Sequence, residues 1–133
     1  MGRKILIVED NAIVALETKL RLTGLGYTIT GVTGTGKDAI NLVRTTEPDL
    51  VLMDINLKGG MDGISVVEQI TSFAAVPVIY ITAYSTKETL ARAMKTNPVA
   101  YLVKPFREQE LYRSIEKALG EGAGEKGGEA PGT

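Results

Sequence analysis

Short, continuous apolar runs recur along the chain, separated by stretches in which apolar residues return at roughly helical spacing. The apolar runs cover residues 5–8, 50–53, 78–81 and 99–103, and a β-branched and aromatic segment covers 27–32. Continuous apolar runs of this length are typical of strands that are buried on both faces. We therefore predict five strands, the fourth of them opened by Pro77.

The intervening stretches predict five helices, one after each strand. The first begins at the cap residue Asn11 and ends at Gly24 and Gly26, and the others cover 37–46 before Pro48, 63–73, a segment capped by Ser85 or Thr86, and 108–119. In the first helix the apolar residues near helical spacing are Ile13, Val14, Leu16, Leu20 and Leu22. The chain is thus predicted to alternate strand and helix from residue 5 to residue 119.

Five successive βα units predict an α/β fold with a doubly wound parallel sheet of the flavodoxin-like (βα)5 type. Right-handed crossovers leave few possible topologies. The first, third and fourth runs contain almost no polar residues, which suits central strands, and the strand order 2-1-3-4-5 satisfies this condition. In that order the first and third strands are neighbours, and the point between them is where such sheets bind ligands.

Polar residues follow four of the predicted strands directly. Glu9 and Asp10 follow the first strand, Asp54 the third, Thr82 the fourth and Lys104 the fifth. Because the strands are parallel, these side chains belong to one edge of the sheet. Three carboxylates there repel one another unless a divalent cation and an ammonium group neutralise them. The pattern predicts a site for a hard metal ion and a phosphate-type ligand.

Composition narrows the functional classes. The 133 residues, 44% of them hydrophobic, suffice for one domain, and the net charge of -1 offers no basic stripe for nucleic acid. The absence of Cys and His removes thiolate and imidazole metal ligands and imidazole bases. The chain shows neither a membrane-spanning stretch nor a secretory signal. We expect a soluble, cytoplasmic protein that contacts neither membrane nor nucleic acid directly.

Taken in order, these residues resemble the receiver domain of two-component response regulators. The resemblance runs from about Lys4 to Leu119. It rests on the Glu9-Asp10 pair, Asp54 with Met61-Asp62-Gly63 downstream, Pro77-Val78-Ile79 leading to Thr82-Ala83, and Lys104-Pro105-Phe106. Each motif is weak alone, but the ordered set is specific.

The resemblance implies a phosphorylation site and its metal. It makes Asp54 the acceptor of a phosphoryl group from a sensor histidine kinase or a phosphotransfer protein. It also implies Mg²⁺, held by Asp10 directly, by Glu9 through water, and by Asp54 and the backbone carbonyl of Asn56. Lys104 supplies the neutralising ammonium, and the family suggests a cis peptide bond between it and the next residue, Pro105.

The resemblance further implies a switch. Thr82 and the backbone amide of Ala83 bind the remaining phosphoryl oxygens, and Tyr101 in the fifth strand rotates inward. The face made by the fourth helix, fifth strand and fifth helix then changes for a downstream effector. Such a domain is not an enzyme toward other molecules, since it catalyses only its own phosphoryl transfer and dephosphorylation.

Other interpretations of the same residues remain open from the sequence. Asp54 could be a helix cap or turn residue, Asp10 a cap, and Glu9 a solvated carboxylate at a helix start. Thr82 could be an ordinary strand terminus, and Tyr101 a packing residue. A flavodoxin-like module for a nucleotide or flavin needs a phosphate-binding turn after the first strand, where Glu9 and Asp10 would repel a phosphate. A receiver-like domain that is never phosphorylated is the second alternative.

The end of the chain differs in composition from the rest. Residues 120–133 are rich in Gly and Glu and lack apolar side chains for a core. We predict a receiver domain over 1–119 and a flexible tail or the start of a linker over 120–133. Both a stand-alone receiver and a receiver from a longer polypeptide agree with this composition.

Overall fold

The computed structural model describes residues 2–120, in which strands and helices alternate as the sequence predicts. The strands are Lys4–Val8 (β1), Thr28–Thr33 (β2), Leu50–Asp54 (β3), Val78–Thr82 (β4) and Ala100–Val103 (β5). The helices are Ala12–Gly24 (α1), Gly36–Thr46 (α2), Gly63–Thr71 (α3), Lys87–Met94 (α4) and Glu108–Leu119 (α5). The predicted bounds agree to within two residues, the largest difference being that α3 ends at Thr71 rather than at residue 73.

The five strands form one parallel sheet with the order β2-β1-β3-β4-β5. The predicted topology is therefore confirmed. In the register, Val8 pairs with Met53, and Asp54 pairs with Ile81. The carboxyl ends of β1, β3 and β4 are thus level, so the residues that follow them share one edge.

The two faces of the sheet carry separate cores. Along β1, Leu6 and Val8 pack in the core beneath α2 and α3, whereas Ile5 and Ile7 pack in the core beneath α1 and α5. This alternation is the period of two that a strand imposes. Because both sets are fully apolar, β1 reads as a continuous hydrophobic run, and each such side chain contributes roughly 1.5–3 kcal/mol on burial.

Helix α1 departs from what its apolar spacing suggests. Ala15 and Leu22 are buried, but Ile13, Leu16 and Leu20 are 71%, 55% and 63% exposed. The small Ala15 lets the helix lie close to the sheet, while the larger residues lie on the solvent side. Ile13, Leu16 and Leu20 are called the α1 stripe below.

Helix starts follow the expected side-chain chemistry. The Asn11 side chain accepts hydrogen bonds of 3.0 Å from the backbone N–H groups of Ile13 and Val14. Thr86, rather than Ser85, caps α4 by accepting from the Thr89 N–H at 3.0 Å. These bonds satisfy N–H groups that have no partner within the helix.

The start of α3 is packed directly on β3. A Cβ atom at Gly63 would lie 2.3 Å from the backbone oxygen of Asp54, and the Gly63 N–H donates to the Ile55 carbonyl at 2.8 Å. Only glycine fits such a close approach. The helix and the end of β3 therefore form one tightly joined unit.

The sequence predicts no membrane-spanning stretch and a flexible C-terminal tail or linker. Among the helices of residues 2–120, none combines the length and apolar character needed to cross a bilayer. The predicted tail covers 120–133, and all of it beyond residue 120 lies outside the described part, so the tail and the domain boundary stay predictions.

Candidate functional site

Three acidic side chains meet at the carboxyl edge of the sheet. Glu9 and Asp10 follow β1, Asp54 ends the neighbouring β3, and one carboxylate oxygen from each lies within 4.8 Å of the other two. Glu9 and Asp54 are buried, Asp54 to 5% exposure. Carboxylate oxygens at this spacing are the donor set that a hard cation such as Mg²⁺ prefers, and their mutual repulsion favours its binding.

Glu9 is held by groups on both sides. One carboxylate oxygen, Oε1, lies 3.3 Å from the Lys104 ammonium, and the other accepts from the Asn11 N–H at 3.1 Å. Lys104 follows β5, which β3 and β4 separate from β1. The lysine therefore reaches across the edge of the sheet and brings a positive charge into the acidic cluster.

The environment of Asp54 disfavours the ionised form of its carboxyl group. Burial, reinforced by the negative charge of Glu9, raises the pKa of Asp54 from 3.8 to about 7. The Asn56 N–H, which donates to Asp54 Oδ1 at 3.0 Å, and the positive charge of Lys104 oppose the rise. The ionised form is therefore under-compensated in this arrangement, and a bound cation would stabilise it.

The Thr82 hydroxyl is buried and fully engaged with its surroundings. It donates to the Tyr84 carbonyl at 2.6 Å and accepts from the Tyr84 N–H at 3.2 Å and from the Asn56 side-chain amide at 3.3 Å. Its own backbone carbonyl accepts from the Lys104 N–H at 2.8 Å. The main chain of Thr82 is thus tied to the sheet, while the hydroxyl can change partners by rotation about χ1.

Tyr101 lies on β5 beside the start of α4. It is half-buried, its hydroxyl is 2.9 Å from the Ser85 Oγ, and its ring meets the ring of Tyr80 edge-on at 6.3 Å. Tyr80 is buried, which raises its pKa to about 12, and its hydroxyl is 2.8 Å from the Thr96 Oγ1 beyond α4. Tyr101 therefore contacts the segment that follows Thr82 but does not reach the acidic cluster.

The structure brings most of the predicted site residues together. Glu9, Asp10, Asp54, Thr82 and Lys104 share one edge of the sheet, and the Lys104-Pro105 peptide bond is cis. Ala83 and Asn56 lie in the adjoining loops, both exposed. The roles expected of these residues, including the Asn56 carbonyl as a ligand, stay predictions.

Two contacts near the site have no signal in the sequence. The Asn56 amide reaches Thr82 across 26 positions, and Arg92 on α4 binds Asp62, which precedes α3. Asp62 before Gly63 could have been recognised as a helix cap, since it accepts from the Ser65 N–H. Nothing in the sequence identifies its partner Arg92.

A parallel α/β sheet in this strand order, with an acidic cluster between its first and third strands, defines a receiver-type signalling domain. The chain belongs to the response regulator receiver domain family, whose model matches residues 5–116. Receiver domains of this family are phosphorylation-dependent signalling domains and not conventional enzymes.

Curated relatives agree with this assignment over nearly all of the chain. The transcriptional regulatory protein PdtaR of Mycobacterium tuberculosis is 37% identical over 117 residues, which are 88% of this chain and 57% of PdtaR. The phyllosphere-induced regulator PhyR of Methylorubrum extorquens is 32% identical over 120 residues, which are 90% of this chain and 44% of PhyR. The chain thus spans about half the length of these relatives.

Solved structures show the same fold. The signal receiver domain of a modulated diguanylate cyclase from Desulfovibrio desulfuricans G20 has a TM-score of 0.82 at 36% identity, covering 89% of this chain and 94% of that one. The receiver domain of Erythrobacter litoralis PhyR has a TM-score of 0.78 at 36% identity, covering 89% and 90%.

Proposed function

We propose that this chain accepts a phosphoryl group on Asp54 from a sensor histidine kinase or a phosphotransfer protein, with Mg²⁺ at the acidic cluster. In the transfer, an Asp54 carboxylate oxygen bonds to phosphorus, the phosphorus–nitrogen bond of the donor phosphohistidine breaks, and the imidazole leaves. The observation that carries the proposal is the convergence of three carboxylates and the Lys104 ammonium at one sheet edge.

The three acids have different roles, as nucleophile or as metal ligand. Glu9 is already bound to Lys104 and to the Asn11 N–H, which suits a second role as a ligand through water. Asp10, Asp54 and the backbone carbonyl of Asn56 would hold the cation directly. The bound cation supplies charge neutralisation for the transferred group. Buried Asp54, oriented by the Asn56 N–H, is the acceptor.

Lys104 and Thr82 respond to the new charge. The Lys104 ammonium, which bridges to Glu9 before transfer, is positioned to contact a phosphoryl oxygen. The Thr82 hydroxyl exchanges the Tyr84 carbonyl for another phosphoryl oxygen, and the Ala83 N–H donates as well. Charge-assisted hydrogen bonds contribute about 1.5–3 kcal/mol each, so two of them approach the roughly 5 kcal/mol that inverts a two-state population.

Movement of Thr82 carries the signal to a surface. Once Thr82 moves, Tyr101 leaves Ser85 and fills the space behind it, and the face made by α4, β5 and α5 changes for a downstream effector. The state ends when water hydrolyses the acyl phosphate. Asn56 and Tyr84 adjoin the site from the two flanking loops and control access of that water.

The test is labelling with a small phosphodonor. Wild-type protein incubated with acetyl phosphate and Mg²⁺ should gain the mass of one phosphoryl group. Asp54→Asn should gain none, and Asp38→Asn, an exposed carboxylate on α2, should label like wild type. Full labelling of Asp54→Asn would exclude Asp54 as the acceptor, and an unlabelled wild type would favour a receiver-like domain that is never phosphorylated.

We further propose that the phosphodonor protein docks on the α1 stripe. Helix α1 begins three residues after Glu9, and the exposed Ile13, Leu16 and Leu20 lie on the helix that begins beside the acidic edge. Exposed apolar patches of this kind mark protein contacts. A donor histidine must reach Asp54. A contact surface next to the site therefore suits the phosphodonor better than a partner that does not approach Asp54.

If the donor protein docks on the α1 stripe, a change in the stripe should slow transfer from a protein donor but not from a small phosphodonor. In phosphotransfer from a panel of purified sensor histidine kinases, Leu16→Ser should lower the rate about tenfold, the loss expected for one buried leucine. Labelling by acetyl phosphate should be unchanged. Lys19→Ser, an exposed polar position on the same helix, is the control. Equal transfer to wild type and Leu16→Ser would refute docking on the stripe.

A further inference from the structure

Helix α4 is weakly anchored by hydrophobic packing. Every residue of α4 is described, and of these Ala93 alone is buried, while Leu90 and Met94 are exposed. A helix of eight residues with so little buried surface depends on polar contacts for its position. The polar contacts of α4 therefore decide where it lies.

The strongest of these contacts is a two-pronged ion pair with the residue that precedes α3. Arg92 Nη1 lies 2.9 Å from Asp62 Oδ2, and Arg92 Nη2 lies 3.3 Å from Asp62 Oδ1 and 3.4 Å from the Ser65 Oγ. A planar guanidinium that bonds to both carboxylate oxygens fixes the relative orientation of the two side chains as well as their separation.

Asp62 is itself held in place. Its Oδ1 accepts from the Ser65 N–H at 2.8 Å and caps α3. Burial works to raise the pKa of Asp62, but Arg92 and the Ser65 N–H outweigh it and keep that pKa below its ordinary value. The next residue, Gly63, is packed on the Asp54 carbonyl. The carboxylate thus belongs to the tightly joined unit of β3 and α3.

Arg92 lies on α4, the helix whose position changes in the proposed switch. Helix α4 follows the segment 83–86, which begins after Thr82 and contains Ser85, the hydrogen-bond partner of Tyr101. Because α4 begins directly after this segment, a displacement of the segment toward Asp54 would shift the start of α4. The ion pair therefore joins the unit that carries the acceptor to the helix that follows the switch threonine.

We propose that the Arg92–Asp62 ion pair restrains α4 in the unphosphorylated protein, so that phosphorylation has to work against it. This inference rests on the proposed function of Asp54. Both side chains are partly exposed, 45% for Arg92 and 36% for Asp62, so the pair has the moderate strength of a surface ion pair with favourable geometry. Breaking it should favour the active state about two- to fivefold.

The variants have to spare the α3 cap. Arg92→Gln removes the charge and the fork but leaves Asp62 free to cap α3, and Asp62→Asn keeps a capping oxygen while weakening the pair. Lys95→Gln removes a positive charge just after α4 without touching Asp62, and is the matched control. All variants are made in the full chain.

The readouts are the affinity for beryllofluoride with Mg²⁺, the rate of labelling by acetyl phosphate, and hydrogen exchange of α4 amides. Arg92→Gln and Asp62→Asn should each bind beryllofluoride about two- to fivefold more tightly, label faster and exchange faster in α4. The double variant should gain no more than either single variant, because both remove the same pair. Lys95→Gln should behave like wild type.

A merely structural ion pair would give a different result. If Arg92→Gln lowers the melting temperature but binds beryllofluoride and labels as wild type does, the restraint is refuted while the function of Asp54 stands. If neither wild type nor any variant is labelled or binds beryllofluoride, the proposed function fails and the restraint fails with it.

Discussion

The ammonium of Lys104 lies 3.3 Å from a carboxylate oxygen of Glu9, a residue 95 positions away in the chain. This pair crosses the carboxyl edge of the sheet and places the Lys104 ammonium against an acid other than Asp54. Before phosphorylation, Lys104 therefore offsets the repulsion among the acids. In the proposed phosphorylated state, the same ammonium would contact a phosphoryl oxygen.

Removal of Lys104 should lower stability, and more so without a bound metal ion than with one. Lys104→Ala leaves Glu9 and Asp54 buried without a nearby positive charge, so the free energy of unfolding should fall by about 1–3 kcal/mol in EDTA. Mg²⁺ should restore part of this loss. Urea denaturation with and without Mg²⁺ measures both effects, and Lys19→Ala on the exposed side of α1 is the control. A loss of equal size with and without Mg²⁺ would show that the Lys104 ammonium and Mg²⁺ do not neutralise the same carboxylates.

Phosphorylation should require a divalent cation. With Mg²⁺ present at ten times its dissociation constant, the native state should gain about 1.4 kcal/mol of stability, and labelling by acetyl phosphate should proceed. Asp10→Asn removes one predicted direct ligand and should weaken both effects. Melting temperature and intact mass across a Mg²⁺ titration provide the measurements. Undiminished labelling in EDTA would mean that the acidic cluster has another purpose.

The metal-free protein should lose stability as pH rises through the titration of Asp54. The folded-state pKa of Asp54 is about 7, above its ordinary value of 3.8, so the fold binds this proton more tightly than the unfolded chain does. Its contribution is therefore fully present below about pH 4 and lost by about pH 7. The shift corresponds to at most about 4 kcal/mol, and solvent at the sheet edge reduces it to about 1–2 kcal/mol.

Asp54→Asn isolates this effect. The variant should be more stable than wild type by about 1–2 kcal/mol at pH 8 and by almost nothing near pH 4, because only wild type has to ionise a buried acid. Denaturation in EDTA at several pH values gives the difference. Mg²⁺ should shrink the advantage by stabilising the wild-type carboxylate. An advantage that does not vary with pH would contradict the raised pKa.

Thr82→Ala should separate modification from signalling. Asp54 should still be phosphorylated, since the threonine contacts the phosphoryl group only after transfer, but the face around Tyr101 should not shift. Amide chemical shifts of residues 82–106 in the beryllofluoride-bound state report the change. Lys104→Ala should instead weaken both retention of the active state and coupling to Thr82. Shift changes in Thr82→Ala equal to those of wild type would show that the signal leaves the site by another route.

The sheet could be predicted from the sequence because its strands are buried on both faces. Runs such as 5–8 and 50–53 are apolar at every position, so neither register nor helix packing was needed to recognise them as central strands. The acids, the threonine and the lysine follow these runs directly. Their gathering at one edge follows from parallel pairing alone.

The partners of the site residues could not be predicted in the same way. That Lys104 binds Glu9, and that the Thr82 hydroxyl binds Tyr84 and Asn56, depends on side-chain rotamers and on loop paths. The α1 stripe shows a second limit, because Ile13 and Leu16 recur at helical spacing yet face solvent. Helical spacing of apolar residues is the same for a face that packs in the core and for one that meets another protein.

The packing of Gly63 on the Asp54 carbonyl limits how this chain can diverge or be engineered. Any side chain at position 63 would overlap main-chain atoms at the end of β3, so a substitution there has to displace either β3 or the start of α3. Three and four residues earlier, an added Cβ at Gly60 or Gly59 would meet no atom within 4 Å. The turn at 59–60 therefore has space for an inserted reporter, although the positive φ values of both glycines, +93° and +87°, disfavour a simple replacement of either one.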